Sequence, residues 1–245
     1  MYFGRKKYWT VTFFLLLIGI SSFLLYHQKN IKCIFIASNG DFVTVEDHIF
    51  VSKDTPLTFQ NELLSLINYS QKTLQNFWKT PIEIPTIIYC HSFEYFQKLG
   101  AKNTLALCRL GEYPVISPNG LDHEILTHEM CHAVTFELLE QNYFKYYTQL
   151  PAWLDEGIAL QFNTMNEYQM EELEKYKRLN INELKRLDRP RHFYSKDHQT
   201  TLENYKMAKL EVAQFLQKNQ IDELKNLLQI NSKKQFYKKY EQLRL

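Results

Sequence analysis

The segment 127–132 reads Thr-His-Glu-Met-Cys-His and places two histidines, His128 and His132, four positions apart. On an α-helix, residues four apart lie on the same face one turn apart, so both imidazoles can reach one cation. Glu129 projects beside them, where its carboxylate can take a proton from a metal-bound water. This geometry exists only on a helix, and the spacing therefore fixes the local structure around which the chain must fold.

The surrounding sequence predicts that helix and a second one. Apolar residues recur at roughly helical spacing over 121–140, without an internal glycine or proline, and turn chemistry precedes them at 117–120. A second predicted helix begins near Pro151 and carries Glu156 among apolar residues. Burying a carboxylate there is costly unless a cation compensates its charge. Glu156 is therefore the candidate third metal ligand.

These two segments together resemble a known family. His-Glu-Met-Cys-His at 128–132, followed by Leu-Pro-Ala-Trp-Leu-Asp-Glu-Gly-Ile-Ala at 150–159, is similar to the gluzincin clan of zinc metallopeptidases. In that clan the third zinc ligand is a Glu in a Trp-x-x-Glu-Gly segment on the next helix. The resemblance covers about residues 56–228, with the two motifs as its most specific part.

The resemblance implies a zinc-dependent peptidase that acts on a peptide or protein substrate. His128, His132 and Glu156 would bind Zn²⁺, and Glu129 would be the general base. A catalytic zinc of this kind has three protein ligands and an open position for water. The metal lowers the pKa of that water, which then attacks a polarised amide carbonyl.

The sequence departs from two subfamilies of the clan. Thermolysin-like members carry an Asp four residues after the ligand Glu, which braces a zinc histidine, and Leu160 stands at that position here. The Gly-x-Met-Glu-Asn segment of the alanyl-aminopeptidase family is also missing, since the nearest stretch, 110–113, reads Leu-Gly-Glu-Tyr. An alternative function is therefore a catalytically inactive, membrane-tethered binding or assembly factor on a peptidase-like fold.

Residues 9–26 form an uncharged apolar run with Trp9 at one end and Tyr26 at the other. The run is long enough for a transmembrane helix, and interfacial aromatics flank it. A cleaved signal peptide is the alternative, but its apolar region is usually about 7–15 residues long and is followed by a small-x-small cleavage pattern. Basic residues on both sides favour a cytoplasmic segment 1–8. The sequence thus predicts a single-pass membrane protein whose catalytic domain lies outside the cytoplasm.

Composition completes the predicted architecture. The 29 basic and 27 acidic side chains give a net charge of +2, which implies no nucleic-acid partner. Seven glycines and 15% aromatic residues favour a helix-rich body with few tight turns. We predict an α+β fold, in which one transmembrane helix precedes a small N-terminal mixed or antiparallel sheet and a mainly helical zincin-type domain. The expected boundaries are 27–55 for a juxtamembrane strand region and 56–245 for the metallopeptidase domain, and the oligomeric state stays open.

Two stretches predict hairpins. Residues 32–52 read as short strands with a turn at Asn39-Gly40, which would be either a spacer or an extension of the domain sheet. Residues 105–110 and 115–116 read as two strands that turn at Gly111, directly before the motif helix. In proteins that this chain resembles, an edge strand at this place binds extended peptide by main-chain hydrogen bonds. An ordinary internal hairpin is the alternative.

The loop 192–201 could supply a hydrogen bond to the oxyanion that develops during hydrolysis. It holds His192, Tyr194 and His198, and the helix after it holds Tyr205. Related sequences place a Tyr at the start of that helix, so Tyr205 is the first choice.

The four cysteines form no Cys-x-x-Cys pair, which argues against a structural zinc cluster. Cys90 and Cys108 lie on predicted strands, and in an oxidising compartment they are the candidates for a disulfide. Cys131 points away from His132 on the motif helix and is expected to be a small core residue.

Overall fold

The computed structural model describes residues 12, 29–102, 104–165, 168–176 and 178–244. The segment 1–8 and, except for Thr12, the predicted transmembrane anchor 9–26 lie outside these residues. Among the helices that are described, none has both the length and the apolar character needed to span a bilayer.

Five described strands form one mixed sheet. They are β1 (Phe42–Glu46), β2 (Ile49–Ser52), β3 (Ile87–Tyr89), β4 (Ala106–Arg109) and β5 (Tyr113–Ile116). The order across the sheet is β1-β2-β3-β5-β4, with β2, β3 and β5 parallel and the two outer strands antiparallel to their neighbours. The central strands β2 and β3 are buried along their whole length, as expected where both faces of a sheet are covered. Strands β1 and β2 therefore extend the domain sheet.

The rest of the described chain is mainly helical, so the fold is α+β with a five-stranded sheet. Its helices are α1 (Leu57–Trp78), α2 (Phe93–Lys98), α3 (His123–Leu138), α4 (Tyr143–Thr148), α5 (Ala152–Ala159), α6 (Met170–Leu173), α7 (Ile181–Arg186), α8 (Pro190–Phe193), α9 (His198–Lys218), α10 (Ile221–Leu228) and α11 (Lys233–Arg244). Residues 29–34 are also helical, and single 3₁₀ turns occur at Ile36–Ser38, Pro118–Gly120 and Leu160–Phe162.

Helix α1 supports the motif helix α3 from one side. Its buried positions, among them Leu63, Ile67 and Leu74, recur three or four residues apart and form one apolar face. Burial of each such leucine or isoleucine contributes roughly 1.5–3 kcal/mol to folding. Within this interface the hydroxyl of Thr127 donates to that of Ser70 at 2.8 Å, and both residues are buried. The hydrogen bond holds the segment before His128 in a fixed position against α1.

The strand and hairpin turn predicted at the start of 32–52 are wrong. Cys33 and Ile36, three residues apart, share one face of a helical segment and are buried in an apolar cluster with Phe96. The amide of Asp41 donates to the Asn39 side chain at 3.1 Å, so Asn39 closes a turn before β1. The hairpin between β1 and β2 instead turns at residues 47–48, where His48 has φ 62°.

The segment 166–179 carries many Glu, Lys and Arg residues, a pattern that predicts a solvated helix, but its described part is not helical throughout. Its described part contains only the single turn α6. Arg178 is partly buried and binds the buried carboxylate of Glu211 on α9, with Nε 3.2 Å from Oε2 and Nη2 3.1 Å from Oε1. This ion pair holds residue 178 against α9.

Candidate metal centre

The motif helix α3 begins at a defined cap. The Asp122 carboxylate accepts hydrogen bonds from the amides of Glu124 at 2.8 Å and Ile125 at 3.3 Å. Such a cap contributes about 1 kcal/mol to helix stability. The helix predicted for 121–140 is thus observed as His123–Leu138, with the motif in its second and third turns.

Helix α5 carries the candidate third ligand to the same place. Its N-cap is Pro151, and Glu156 lies inside its eight residues. Gly157 permits close packing on α9, because a Cβ at this position would lie 2.6 Å from the carbonyl oxygen of Ala208. The Glu-Gly sequence therefore combines a ligand with the absence of a side chain that would push the two helices apart.

His128, His132 and Glu156 form a group that could hold a metal ion. Nε2 of His128 lies 3.2 Å from Nε2 of His132 and 3.4 Å from Oε2 of Glu156, and the third separation, from His132 Nε2 to Glu156 Oε2, is 3.7 Å. Ligand bonds of about 2.0–2.1 Å in a tetrahedral site separate two ligand atoms by roughly 3.3 Å. The observed separations fit one small cation between the three side chains.

The charge on Glu156 supports the same interpretation. Only 4% of the residue is exposed, and its Oε2 has no hydrogen-bond donor among the described residues. Burial would raise the pKa of this carboxyl, but His132, His128 and the Tyr194 hydroxyl lower the pKa to about 2. A buried carboxylate whose free oxygen faces two imidazole nitrogens is a position that a cation stabilises.

A carboxylate that contacts and orients His132 is present at Asp155, whereas position 160 carries a leucine. Its Oδ1 lies 3.1 Å from Nδ1 of His132, and its Oδ2 accepts a hydrogen bond from Tyr146 at 2.9 Å. Such contacts orient a metal-binding imidazole and make it a stronger ligand. Leu160 is buried in the 3₁₀ turn after α5. The sequence did contain a signal for this role, since a second carboxylate stands directly before Glu156.

Several carboxylates surround His132. Burial would lower the pKa of this imidazole, but Asp155, Glu156 and Glu129 raise it to about 10. The cluster is thus strongly cation-attracting. Glu129, the predicted general base, is buried and lines the same cleft. Its burial, together with Glu156 and Asp155, raises its pKa against the opposing effect of the two histidines, which is the direction suited to a proton acceptor.

Two tyrosines from the predicted oxyanion segment line the cleft. The Tyr194 hydroxyl donates to Oε1 of Glu156, although 44% of the residue is exposed. Tyr205 lies beside it, with ring centroids 6.3 Å apart, and its pKa is raised by burial and by Glu156 and Glu129. Tyr205 therefore stays a neutral hydrogen-bond donor at the cleft wall. His192 and His198 are exposed and lie outside the cleft lining.

The cleft over this cluster has a volume of about 410 Å³ and is bounded by strand β4 at the edge of the described sheet. This wall of the cleft is formed by Thr104, just before the strand, and by Ala106, Leu107 and Cys108 within it. The hairpin predicted before the motif helix is thus observed, with its turn at Leu110 and Gly111, both of positive φ. A larger groove of about 640 Å³ lies at the amino ends of the parallel strands and contains none of the candidate ligands.

The expected Cys90–Cys108 disulfide is absent, because all four cysteines are free. Strand β5 lies between β4, which carries Cys108, and β3, which ends directly before Cys90. Two strand spacings of about 4.8 Å exceed the Cα separation of about 7 Å that a disulfide can bridge. Cys131 is buried in the main core, as predicted, whereas Cys108 lines the cleft, which sequence reasoning missed.

Comparison with protein-family models, with curated proteins and with solved structures gave no match. Interpretation of the cleft therefore depends on its own geometry. Two histidines and one glutamate, with donor atoms all within 4.8 Å of one another, form a candidate metal centre.

Proposed function

We propose that this protein is a membrane-anchored, zinc-dependent peptidase of the gluzincin type. The observation that carries the proposal is the convergence of His128, His132 and Glu156, with the unbonded carboxylate oxygen of Glu156 facing both imidazoles. Glu129 adds a second argument. It lies in the same cleft without belonging to the candidate ligand group, and a purely structural metal site has no use for such a carboxylate.

Zinc suits this donor set best. Two imidazole nitrogens and one carboxylate oxygen are the ligands of the thermolysin type of catalytic zinc, whereas calcium and magnesium prefer oxygen ligands alone. When bound, Zn²⁺ would lower the pKa of a water molecule and polarise the substrate carbonyl.

The chain's own residues would handle the proton and the charge. Glu129 takes the proton of the attacking water and passes it to the leaving amine, so one carboxylate acts first as base and then as acid. The Tyr205 hydroxyl donates a hydrogen bond to the developing oxyanion, a contribution of about 3 kcal/mol when such a donor is well placed. Tyr194 and Asp155 position Glu156 and His132 through the contacts described above.

Strand β4 supports a peptide as the substrate. The main-chain groups on its outer side can pair with an extended polypeptide by strand addition. Such a segment would cross directly in front of His128 and Glu129, because β4 and these residues line one cleft. The apolar run 9–26 supports anchoring in a membrane, with the catalytic domain outside the cytoplasm.

The decisive experiment measures zinc content and peptidase activity of the full chain in detergent. We expect about one zinc per chain in the wild type and little in Glu156→Ala, because three ligands are needed for tight binding. Glu129→Gln should retain zinc and lose at least about a hundredfold in turnover, since it keeps the shape of the side chain but cannot accept a proton.

Two outcomes would contradict the proposal. The first is peptidase activity near that of the wild type in Glu129→Gln. The second is tight peptide binding by the zinc-loaded wild type without cleavage, which would favour the binding or assembly factor.

A further inference from the structure

Helix α4 exposes three aromatic side chains next to the cleft. The exposed fraction is 40% for Tyr143, 70% for Phe144 and 54% for Tyr147. These three residues form the aromatic strip. Exposed aromatic groups that are contiguous on a surface mark interaction sites more often than isolated ones do.

The cleft and the strip are physically joined. Tyr146 of the same helix lines the cleft and donates to Asp155, the partner of His132. At the other end of α4, the Tyr143 hydroxyl donates to Glu112 of the β4–β5 hairpin at 2.7 Å. The electrostatic neighbours of Tyr147 also include Glu112 and Arg109 of that hairpin. Helix α4 is therefore fixed beside the carboxyl end of the edge strand.

Helix geometry places these four aromatics at neighbouring positions around α4. At 100° per residue, Tyr146, Tyr143, Tyr147 and Phe144 follow one another around the helix in steps of roughly 40–60°. The series begins at Tyr146 inside the cleft and ends at Phe144, the most exposed member. Phe136 of the motif helix backs the inner half, with ring centroids 4.7 Å from Tyr143 and 5.4 Å from Tyr146.

We propose that the aromatic strip extends the substrate cleft and selects extended polypeptide segments that carry a large apolar side chain at some distance from the scissile bond. A peptide paired with β4 presents alternate side chains on one face at intervals of about 6.6 Å. Past Arg109 those side chains reach α4, where Tyr147 and Phe144 offer apolar surface. The inference rests on the proposed peptidase function and adds the substrate class to it.

A polypeptide fits this surface better than a lipid bilayer does. The strip adjoins the cleft, and the two charges beside it, Glu112 and Arg109, have opposite signs, so they form no basic patch that would attract anionic lipids. The strip also begins beside an edge strand that can bind a main chain.

The test uses the full chain in detergent with zinc and a randomised peptide library, followed by two peptides of equal length and charge. These peptides differ only in Phe or Ser at the position that the library selects. We expect the wild type to prefer the Phe peptide by about tenfold in kcat/KM, mainly through KM, because one apolar side chain contributes about that much discrimination. The double variant Phe144→Ala, Tyr147→Ala should lose this preference and keep its rate on the Ser peptide.

Leu57→Ala is the matched control. Leu57 is 69% exposed, close to the 70% of Phe144, and lies at the start of α1 outside the cleft lining. It should retain the full preference. An unchanged preference in the double variant would overturn the proposal.

A failure of the proposed function would be distinguishable from a failure of this inference. If the wild type cleaves neither peptide, fluorescence anisotropy of the same two labelled peptides still reports selection. Tighter binding of the Phe peptide that the double variant loses would support the strip, and equal binding would overturn it. A membrane contact is the alternative, and it can be tested with Phe144→Trp after reconstitution into vesicles that contain brominated phosphatidylcholine. Additional quenching of tryptophan fluorescence in this variant, together with an unchanged peptide preference in the double variant, would identify such a contact.

Discussion

Helices α5 and α9 pack against each other, and each buries a glutamate. Glu211 on α9 is 1% exposed and Glu156 on α5 is 4% exposed. The carboxylate of Glu211 accepts hydrogen bonds from Arg178, Arg244 and Tyr240. The carboxylate of Glu156 has a tyrosine on one oxygen and two imidazoles near the other.

The two glutamates differ in the groups that supply the compensating positive charge. Two guanidinium groups, which are always protonated, compensate Glu211 within the chain. Glu156 faces two imidazoles that can release their protons and that are neutral when they bind a metal, so a bound cation can replace a protonated histidine as its counter-charge. Burial of a glutamate therefore says little about function by itself. The chemistry of its partners distinguishes a structural carboxylate from a ligand.

The largest expected effect comes from Glu211→Gln. The substitution keeps the shape and leaves two partly buried guanidinium groups without their counter-charge, so the free energy of unfolding should fall by about 3–5 kcal/mol. Denaturant unfolding of the full chain with a metal chelator present measures this. Glu156→Gln under the same conditions should cost less, about 1–3 kcal/mol, because His132 can release its proton when it loses this partner, whereas a guanidinium cannot. Equal losses in the two variants would mean that both carboxylates are structural.

The gain in stability on addition of zinc should also distinguish the same two variants, and here Glu156→Gln should be the more affected one. At a free zinc concentration of about one hundred times Kd, the wild type should gain about 2.7 kcal/mol of stability, since only the folded state has the site. Glu156→Gln should lose most of this gain, whereas Glu211→Gln should retain it. Thermal unfolding with and without zinc reports both values. A zinc effect that survives Glu156→Gln would remove this residue from the ligand set.

Sequence reasoning reached the site because its signals are local. Residues 128–132 need only a helix, and the Trp-x-x-Glu-Gly segment needs only a second one, so His128, His132 and Glu156 could be named before their distances were known. Their convergence depends on the packing of α3 against α5, whereas Gly157 marks only the close packing of α5 on α9.

Features that depend on distant residues were missed. Asp155 as the brace of His132 depends on the mutual orientation of two helices. The helical start of the domain around Cys33 depends on a cluster with Phe96, about sixty positions away in the printed sequence. Similarly, the Glu211 network draws on Arg244 and on Arg178, which lies in a charged segment typical of a solvated helix face. Charge composition cannot show which charges are buried in pairs.

Asp155→Asn should weaken metal binding without removing it. The amide can still accept a hydrogen bond, but its lost charge lowers the basicity of His132, and changes of this kind cost about 10–100-fold in metal affinity. Competition with a chromophoric zinc chelator measures the shift. Asp188→Asn is the matched control, since this aspartate is also partly buried and accepts from a tyrosine, Tyr237. Its zinc affinity should equal that of the wild type.

The smallest expected effects come from the hydroxyl donors of the two glutamates. Tyr240→Phe removes a 2.6 Å hydrogen bond to Glu211, which should lower the free energy of unfolding by about 1–2 kcal/mol and leave zinc affinity unchanged. Tyr194→Phe removes the hydroxyl on Glu156, a residue of the metal group, so zinc affinity should change by about tenfold or less and metal-free stability should fall by about 1–2 kcal/mol. Unfolding and chelator competition on both variants complete the comparison. If Tyr194→Phe lowered only stability and Tyr240→Phe lowered only zinc affinity, the roles assigned to the two glutamates would be reversed.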